Sequence, residues 1–463
     1  MAAIHPIAFK AWPWLHWMQE QPEATAIIFG TSEITWRQLC DDVSRVHLSI
    51  VTNQHTIAHE RVAIVSHNNY ACLITMLAAW QNGWQTLMLN PTFSQRECNE
   101  IIERVGINVI LNVVELKSLP DRDEMTLVGF NAVKHLTLTL TSGSTGAPKA
   151  VVHTANNHLA SASGLLELIP FKCSDCWLLS LPLFHVSGLG IVWRWLIQGA
   201  MLKLADIKEK ALITALEGCT HASLVPTQLQ CVLEQGNCSS LHAVLLGGTE
   251  IPQSLVDEAE RIGIQCWCGY GMTEMASTIT AKRANGYFSV GDVLPNRELR
   301  LYKNGEVMVK GETLSPGYMV RGNILPLTDD WFATKDKGCW DEATSELQII
   351  GRLDNMFICG GENVQPENLE RILSLYSGIS QIVIFPIDDD TWGKVPIAII
   401  EGEIDSDEFL TWAKTQVLPY QCPKAVYSLP NNVSHSGIKL SRKALLDWLL
   451  LNLDNNFDTH GFA

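Results

Sequence analysis

An α/β fold in two parts is predicted: a large N-terminal domain of helix-flanked sheets with a β-rich subdomain, then a small α+β C-terminal domain. Three observations predict it. From residue 26 to 113, and again from 177 to 271, short apolar runs alternate with helical stretches, the order that builds sheets flanked by helices. From about residue 288 this gives way to short β segments split by turns, "ELRLY", "EVMVKG" and "LQIIGR". After "GRLDN" (351–355) helix and strand alternate again on a smaller scale for roughly 110 residues, a common domain size. The boundary falls at Asp354, dividing the chain into 1–353 and 354–463.

The elements follow in order. Thr35-x-x-Gln38 and Ser94-x-x-Glu97 have the capping-box spacing that opens helices. "RVAIVS" (61–66), "TLMLN" (86–90) and "NVILNV" (108–113) read as buried strands, and "NYACLITMLAAWQNG" as an apolar helix ended by Gly83. "HLTLTLT" (135–141) alternates like a half-buried strand, and "AVVHT" (150–154) is rich in β-formers. "WLLSLP" (177–182), "HASLVP" (221–226), "HAVLLGG" (242–248) and "IQCWCGYG" (264–271) are further strand candidates. In the small domain "PENLERILSLY", "DEFLTWAKTQV" and "RKALLDWLLLNL" read as helices, and "QIVIFPI" and "VPIAIIEG" as strands.

Composition narrows the function. The chain has 463 residues, 47% of them hydrophobic, enough for large buried cores. Its formal charge of −16, from 33 basic and 49 acidic residues, argues against a general nucleic-acid binder. ATP is compatible with that charge, because a few oriented amides and one lysine reverse the local field. The 13 cysteines are scattered and odd in number, as in a reduced intracellular protein. Cys173-x-x-Cys176 and Cys266-x-Cys268 lack the second CxxC or spaced histidine pair of a metal site, so they read as ordinary buried or strand cysteines. No apolar run reaches the ~18 residues of a membrane span, and "MAAIHPIAFKAWPWLHW" has no signal-peptide core. A cytoplasmic protein without a membrane span is expected, its oligomeric state, homo-oligomer included, left open.

"TSGSTGAPK" (141–149) has the content of a phosphate loop but departs from the Walker pattern, since Pro148 precedes Lys149 and Ala150 follows it. Proline pushes Ala147 out of the α region. The loop therefore joins strand to strand. An anion there would be held by loop amides, hydroxyls and Lys149, not by a helix N-terminus. A Gly/Ser-rich hairpin turn with no ligand is the alternative from these residues alone.

Seven motifs in order resemble the adenylate-forming enzymes, the family of acyl-CoA synthetases, luciferases and peptide-synthetase adenylation domains. They are "TSGSTGAPK" (141–149), "LPLFHVSG" (181–188), "GGTEIP" (247–252), "GYGMTE" (269–274), "ATKDKG" (333–338), "GRLDNMFICGGENVQPENLE" (351–370) and "GIKLSRKAL" (437–445). The resemblance implies a two-step reaction: a carboxylate attacks the α-phosphorus of ATP, and a thiol, coenzyme A, then displaces AMP. Two anions must meet, so the site has to neutralise charge and align the reactants.

By the same resemblance, Thr141, Ser142, Gly143, Ser144, Thr145, Gly146 and Lys149 would cradle the β- and γ-phosphates. Tyr270 would lie against adenine, Gly247 and Gly248 would let the base approach the backbone, and Thr249, Gly269 and Gly271 would belong to the same ATP/AMP site. Thr273 would lie near the phosphates and Glu274 would be the carboxylate associated with Mg²⁺, a hard cation that prefers oxygen ligands. Asp336 and Arg352 match the ribose-contacting pair; a plain pair of Arg352 with Asp354 is the other reading. Lys439 matches the catalytic lysine of a mobile C-terminal domain, Asp354 its hinge, and Gly360, Gly361 and Glu362 the face toward the thioester; a plain turn is the other reading of the two glycines.

His185 stands where amino-acid-activating members carry aspartate, so an amino-acid substrate is not expected; the residue is assigned to catalysis or to the acyl pocket, a buried structural histidine being the alternative. Within the family, "WPWLHW" (12–17), "LLSLPLFHVSGLGIVWRWL" (178–196), "CTHASLVPTQL" (219–229), "CGYGMTEMASTI" (268–279), "GRLDNMFICGGENVQPE" (351–367) and the short chain resemble the branch that activates o-succinylbenzoate in menaquinone biosynthesis. That acid has two carboxylates, one activated and one in need of a charge partner. Arg194 is the candidate, because "GIVWRWLIQG" is an apolar helix with one embedded cation; snorkelling to the helix surface is the alternative. Ser277 and Thr278 are further acyl-site candidates. An aryl- or fatty-acyl-CoA ligase of other specificity, and a catalytically silent nucleotide-binding or interaction protein, are the rival readings.

Overall fold

The computed structural model describes residues 8–53, 61–107, 109–113, 129–141, 148–205, 211–235, 240–247, 251–285, 287–327, 330–430, 435–436, 439–440 and 442–456. The chain forms two compact units, residues 1–299 with 309–332 and residues 300–308 with 333–463.

Two sheets organise the first unit. One runs in the order Asn323–Pro326, Gly317–Val320, Lys149–Thr154, His135–Thr141, Gln85–Leu89, Arg61–Val65, Val109–Leu111. Its last four strands are parallel to one another, as the alternating helix–strand sequence requires. The other centres on the parallel strands Cys176–Leu178, His221–Leu224, Ala243–Leu246 and Gln265–Met272, which continue antiparallel into Ser277–Arg283 and then the edge strand Asp292–Val293. Both expected capping boxes form: Thr35 with Gln38, and Ser94 with Glu97. The helix Tyr70–Gln81 is apolar all round and accordingly buried, with Asn69 capping its start. Tryptophans knit the elements together. Trp36 stacks on Trp195 with centroids 5.1 Å apart, and Trp80 on Trp193 at 5.5 Å.

Two strands are shorter than expected. Among its described residues "NVILNV" pairs over Val109–Leu111, and "WLLSLP" is strand only over Trp177 and Leu178, in Cys176–Leu178. In the second case side chains replace the ladder. The Ser180 hydroxyl donates to the Ser223 carbonyl, while Asn68 donates to the Leu181 carbonyl (2.8 Å) and accepts from the Leu183 amide (2.9 Å). The chain is bent into a loop that leads to His185.

The second unit contains the long hairpin Ile379–Asp389 and Gly393–Gly402, flanked by the helices Pro366–Leu373 and Ser406–Gln416. The apolar faces of these elements close a core around Phe409, Leu369 and Ile384. Among the described residues no helix is long and apolar enough to cross a membrane.

Candidate active site

The strands His135–Thr141 and Lys149–Thr154 are antiparallel neighbours, with Thr141 opposite Lys149. The expected strand-to-strand loop is therefore framed as predicted; Ser142, Gly143, Ser144, Thr145 and Gly146 lie outside the described residues. Gly248 and Thr249 do too, and no described heavy atom stands within 4 Å of a Cβ placed on Gly247.

Lys149 is not isolated. Its ammonium sits 4.9 Å from the ring centroid of Tyr318, and the Tyr318 hydroxyl donates to Glu274 Oε1 at 2.8 Å. One aromatic side chain thus bridges the expected phosphate lysine and the expected metal carboxylate. Burial, then the charge and hydrogen bond of Glu274, raise the phenol's pKa above its ordinary value, so Tyr318 remains a donor. Sequence reading did not find Tyr318. It lies 44 residues from Glu274, on a strand that reaches the site only because Gly317–Val320 pairs with Lys149–Thr154. Replacing Tyr318 with phenylalanine should lower kcat/KM for ATP about 10-fold, the usual cost of removing a bond that orients a metal-associated carboxylate. Initial rates at varied ATP check this.

Glu274 itself is buried, in the three-residue turn Thr273–Met275 that follows the strand Gln265–Met272. The turn forces Ala276 to φ 51° and Ser277 to φ 114°, rare for residues with a side chain and a form of stored strain. Gly271 is required here, because a Cβ would run into the Ser277 carbonyl on the facing strand. Gly269 and Tyr270 pair with Ala281 and Thr280, while Ser277 and Thr278 pair with Met272 and Gly271.

His185 is the N-cap of the helix Val186–Gln198, its ring 4.8 Å from that of Phe184. One turn further on lies Gly190. A Cβ there would approach Arg194 Nη2 to 3.2 Å and Ser277 Oγ to 3.4 Å, so the missing side chain brings those two polar groups to one place.

Arg194 is only 3% exposed, which rules out snorkelling. Its guanidinium lies 5.0 Å from the centroid of Trp177, and Nη1 donates to Ser223 Oγ at 3.5 Å. Among the described residues it meets no carboxylate, and its Nε has no partner. Burial, and then the nearby positive charge of Arg297, push its pKa down to about 9. Arg297, also missed in the sequence, is a second buried guanidinium. It donates through Nη2 to the Ser161 carbonyl at 3.3 Å, and burial pushes its pKa down to about 9. An unpaired buried charge is costly, so a site of this kind favours an anion that arrives as ligand.

In the second unit, Asp336 and Arg352 are directly opposite on neighbouring strands. Arg352 donates to Asp336 at 3.2 Å and forks onto both oxygens of Asp354 at 3.0 Å, so it pairs with both acids, not with Asp354 alone. Burial works against its charge, but the Asp354 hydrogen bonds and the two carboxylates hold its pKa above the ordinary value. Gln365 donates to the Arg352 carbonyl at 2.7 Å, tying this corner to the helix Pro366–Leu373.

Gly360 and Gly361, at φ 59° and 89°, form the two-residue turn between Phe357–Cys359 and Glu362–Val364. Positive φ at both positions is the requirement of a type I′ hairpin, which accounts for the pair by backbone alone. Trp392 packs where a Cβ of Gly360 would stand.

Lys439 lies in the short hairpin with Ser436; its side chain is outside the described residues. The helix that follows is anchored by Arg442, which donates to Glu370 at 2.6 Å and to the Ile384 carbonyl at 2.6 Å. Burial raises the pKa of Glu370, opposed by Arg442 and by the Ile384 amide. Replacing Arg442 with methionine strands this carboxylate. The expected cost is about 2–3 kcal/mol, less than for a fully buried pair because Arg442 is partly exposed. Urea unfolding measures it, and adding Glu370→Gln should restore part of the loss.

The family model for AMP-binding enzymes matches residues 14–135 and 125–319. The chain is 39% identical over 451 residues to the 2-succinylbenzoate–CoA ligase of Escherichia coli K12, covering 95% of this chain and 99% of that protein. It is 39% identical over 453 residues to the 2-succinylbenzoate–CoA ligase of Haemophilus influenzae, covering 95% and 98%. Among solved structures it resembles an arginine-to-lysine variant of E. coli MenE with bound OSB-AMS, with TM-score 0.86, 36% identity and coverage of 96% and 99%. The o-succinylbenzoate CoA synthetase of Bacillus subtilis in complex with OSB-AMP shares the fold at TM-score 0.85, 24% identity and coverage of 94% and 98%. The chain belongs to the AMP-binding enzyme family.

Proposed function

We propose that this chain is an ATP-dependent acid–thiol ligase. It converts o-succinylbenzoate and coenzyme A to o-succinylbenzoyl-CoA through an acyl-adenylate, releasing pyrophosphate and then AMP, in menaquinone biosynthesis. The observation that carries the choice of acid is Arg194, a buried guanidinium with no carboxylate among the described residues and with hydroxyls of Ser223 and Ser277 nearby. It suits the carboxylate of o-succinylbenzoate that is not activated, and arginine binds carboxylates in a planar fork.

In this reading Thr141 to Gly146 and Lys149 hold the β- and γ-phosphates. Gly247, Gly248, Thr249, Gly269, Tyr270 and Gly271 form the adenine site, and Asp336 with Arg352 takes the ribose hydroxyls. Thr273 sits by the phosphates, and His185 and Thr278 border the acyl group. Glu274 is the protein ligand for Mg²⁺. The donor set fits: Glu274 offers a buried carboxylate whose Oε1 is held by the Tyr318 hydroxyl at 2.8 Å. One oriented carboxylate is what Mg²⁺ takes when substrate phosphates and water complete its shell. Residues 354–463 move as a domain on Asp354, bringing Lys439 to the α-phosphate in the first step and the Gly360–Glu362 turn toward the thioester in the second. The protein works in the cytoplasm.

Acid-dependent exchange of labelled pyrophosphate into ATP tests the reading. Exchange that requires o-succinylbenzoate supports it. ATP binding without exchange under any acid would favour a catalytically silent nucleotide-binding protein.

A further inference from the structure

Two histidines in the core of the first unit have no part in the roles assigned above. His153 lies on the strand that leaves the phosphate-loop hairpin, four residues beyond Lys149, and is fully buried. Its Nε2 is 2.8 Å from the carbonyl oxygen of Thr273, 120 residues away. A carbonyl only accepts, so Nε2 carries the proton and the tautomer is fixed. Burial keeps the ring neutral, its pKa pushed down to about 4 although the Thr273 carbonyl works the other way.

The ring is also held from behind. His158 lies 5.0 Å from it, centroid to centroid, and is stacked in turn on Trp193 at 5.4 Å and 6°. His158 is itself pinned, with Nε2 2.7 Å from Thr137 Oγ1. His153 therefore has a fixed position, a fixed tautomer and a single acceptor that belongs to the turn carrying Glu274.

That turn is gripped by three bonds from two segments. His153 bonds the Thr273 carbonyl, the Ser315 amide donates to the Glu274 carbonyl at 2.8 Å, and Tyr318 donates to the Glu274 carboxylate. The backbone after it is strained, at Ala276 and Ser277, and such conformations persist only where their surroundings over-determine them.

We propose that His153 is a positioning residue: through the Thr273 carbonyl it sets the Thr273–Glu274 turn so that the Glu274 carboxylate is oriented for Mg²⁺-bound ATP before the nucleotide arrives. This rests on the reading of Glu274 as the metal-associated carboxylate. The strand that flanks the phosphate loop and the turn that holds the metal ligand then form one unit.

The test is calorimetric titration of the whole protein with ATP, in EDTA and in Mg²⁺, for the wild type, Glu274→Gln, His153→Phe and His153→Gln. Phenylalanine keeps a buried ring without the donor, and glutamine replaces Nε2–H with an amide N–H. The gain in ATP affinity caused by Mg²⁺ should fall about 10-fold in His153→Phe, with Mg²⁺-free affinity unchanged, and return largely in His153→Gln. Three results overturn the inference alone: a full gain in His153→Phe, an equal fall with and without Mg²⁺, or a glutamine variant as impaired as the phenylalanine one. A wild type with no gain, or Glu274→Gln that keeps it, overturns both the inference and the reading of Glu274.

Discussion

Replacing Lys439 with alanine is expected to lower acid-dependent pyrophosphate exchange about 10²–10³-fold, the usual cost of losing one positioned charge that stabilises a transition state. The first step brings a carboxylate onto a phosphorus already surrounded by negative oxygens. A cation delivered at that moment stabilises the transition state more than the ground state. Lys439 sits in a two-stranded hairpin just before the helix Arg442–Asn456, and the Arg442–Glu370 pair fixes the start of that helix to the second unit. The lysine is thus carried on an anchored element, as the proposed domain movement requires. Thioester formation from supplied acyl-adenylate should fall much less in the same variant. Equal loss in both steps would contradict the alternation of the C-terminal domain between them.

Replacing Arg194 with leucine should reduce kcat/KM for o-succinylbenzoate on the order of 10²-fold, because a buried carboxylate loses its charged partner. An aryl monocarboxylate lacking the second acid group should keep most of its rate. The same substitution should leave thermal stability unchanged or raise it, since replacing a buried unpaired charge by an apolar group of similar volume is often neutral or stabilising. These two responses separate a binding role from a packing role. Uniform loss with both acids, together with a lower Tm, would assign Arg194 to the core. Melting curves and steady-state rates on two acids suffice.

Local chemistry made much of the fold legible. Ser94 and Glu97 announce a helix start because the capping box is complete within four residues. The departure from the Walker pattern at Pro148 announces a strand, and Lys149–Thr154 is one. Arg194 was legible as an oddity but not as a buried charge, because an arginine on an apolar helix can reach the surface; only the packing of Trp177, Gly190 and Ser223 around it decides. Tyr318, His153 and Arg297 left no local signal at all. Each acts on a residue 44 to 136 positions away, through tertiary packing between a strand and a turn or helix that no short pattern encodes. The Gly360–Gly361 pair shows the opposite hazard. A type I′ turn requires both glycines by itself, so the pair announces the turn and not the face it presents.

The most direct measurement of the central claim is thioester formation itself. Purified protein supplied with ATP, Mg²⁺, coenzyme A and o-succinylbenzoate should yield o-succinylbenzoyl-CoA, with AMP formed in equal amount, detected by mass and by loss of free thiol. No thioester from this acid, with turnover of benzoate or a fatty acid in its place, would contradict the assignment.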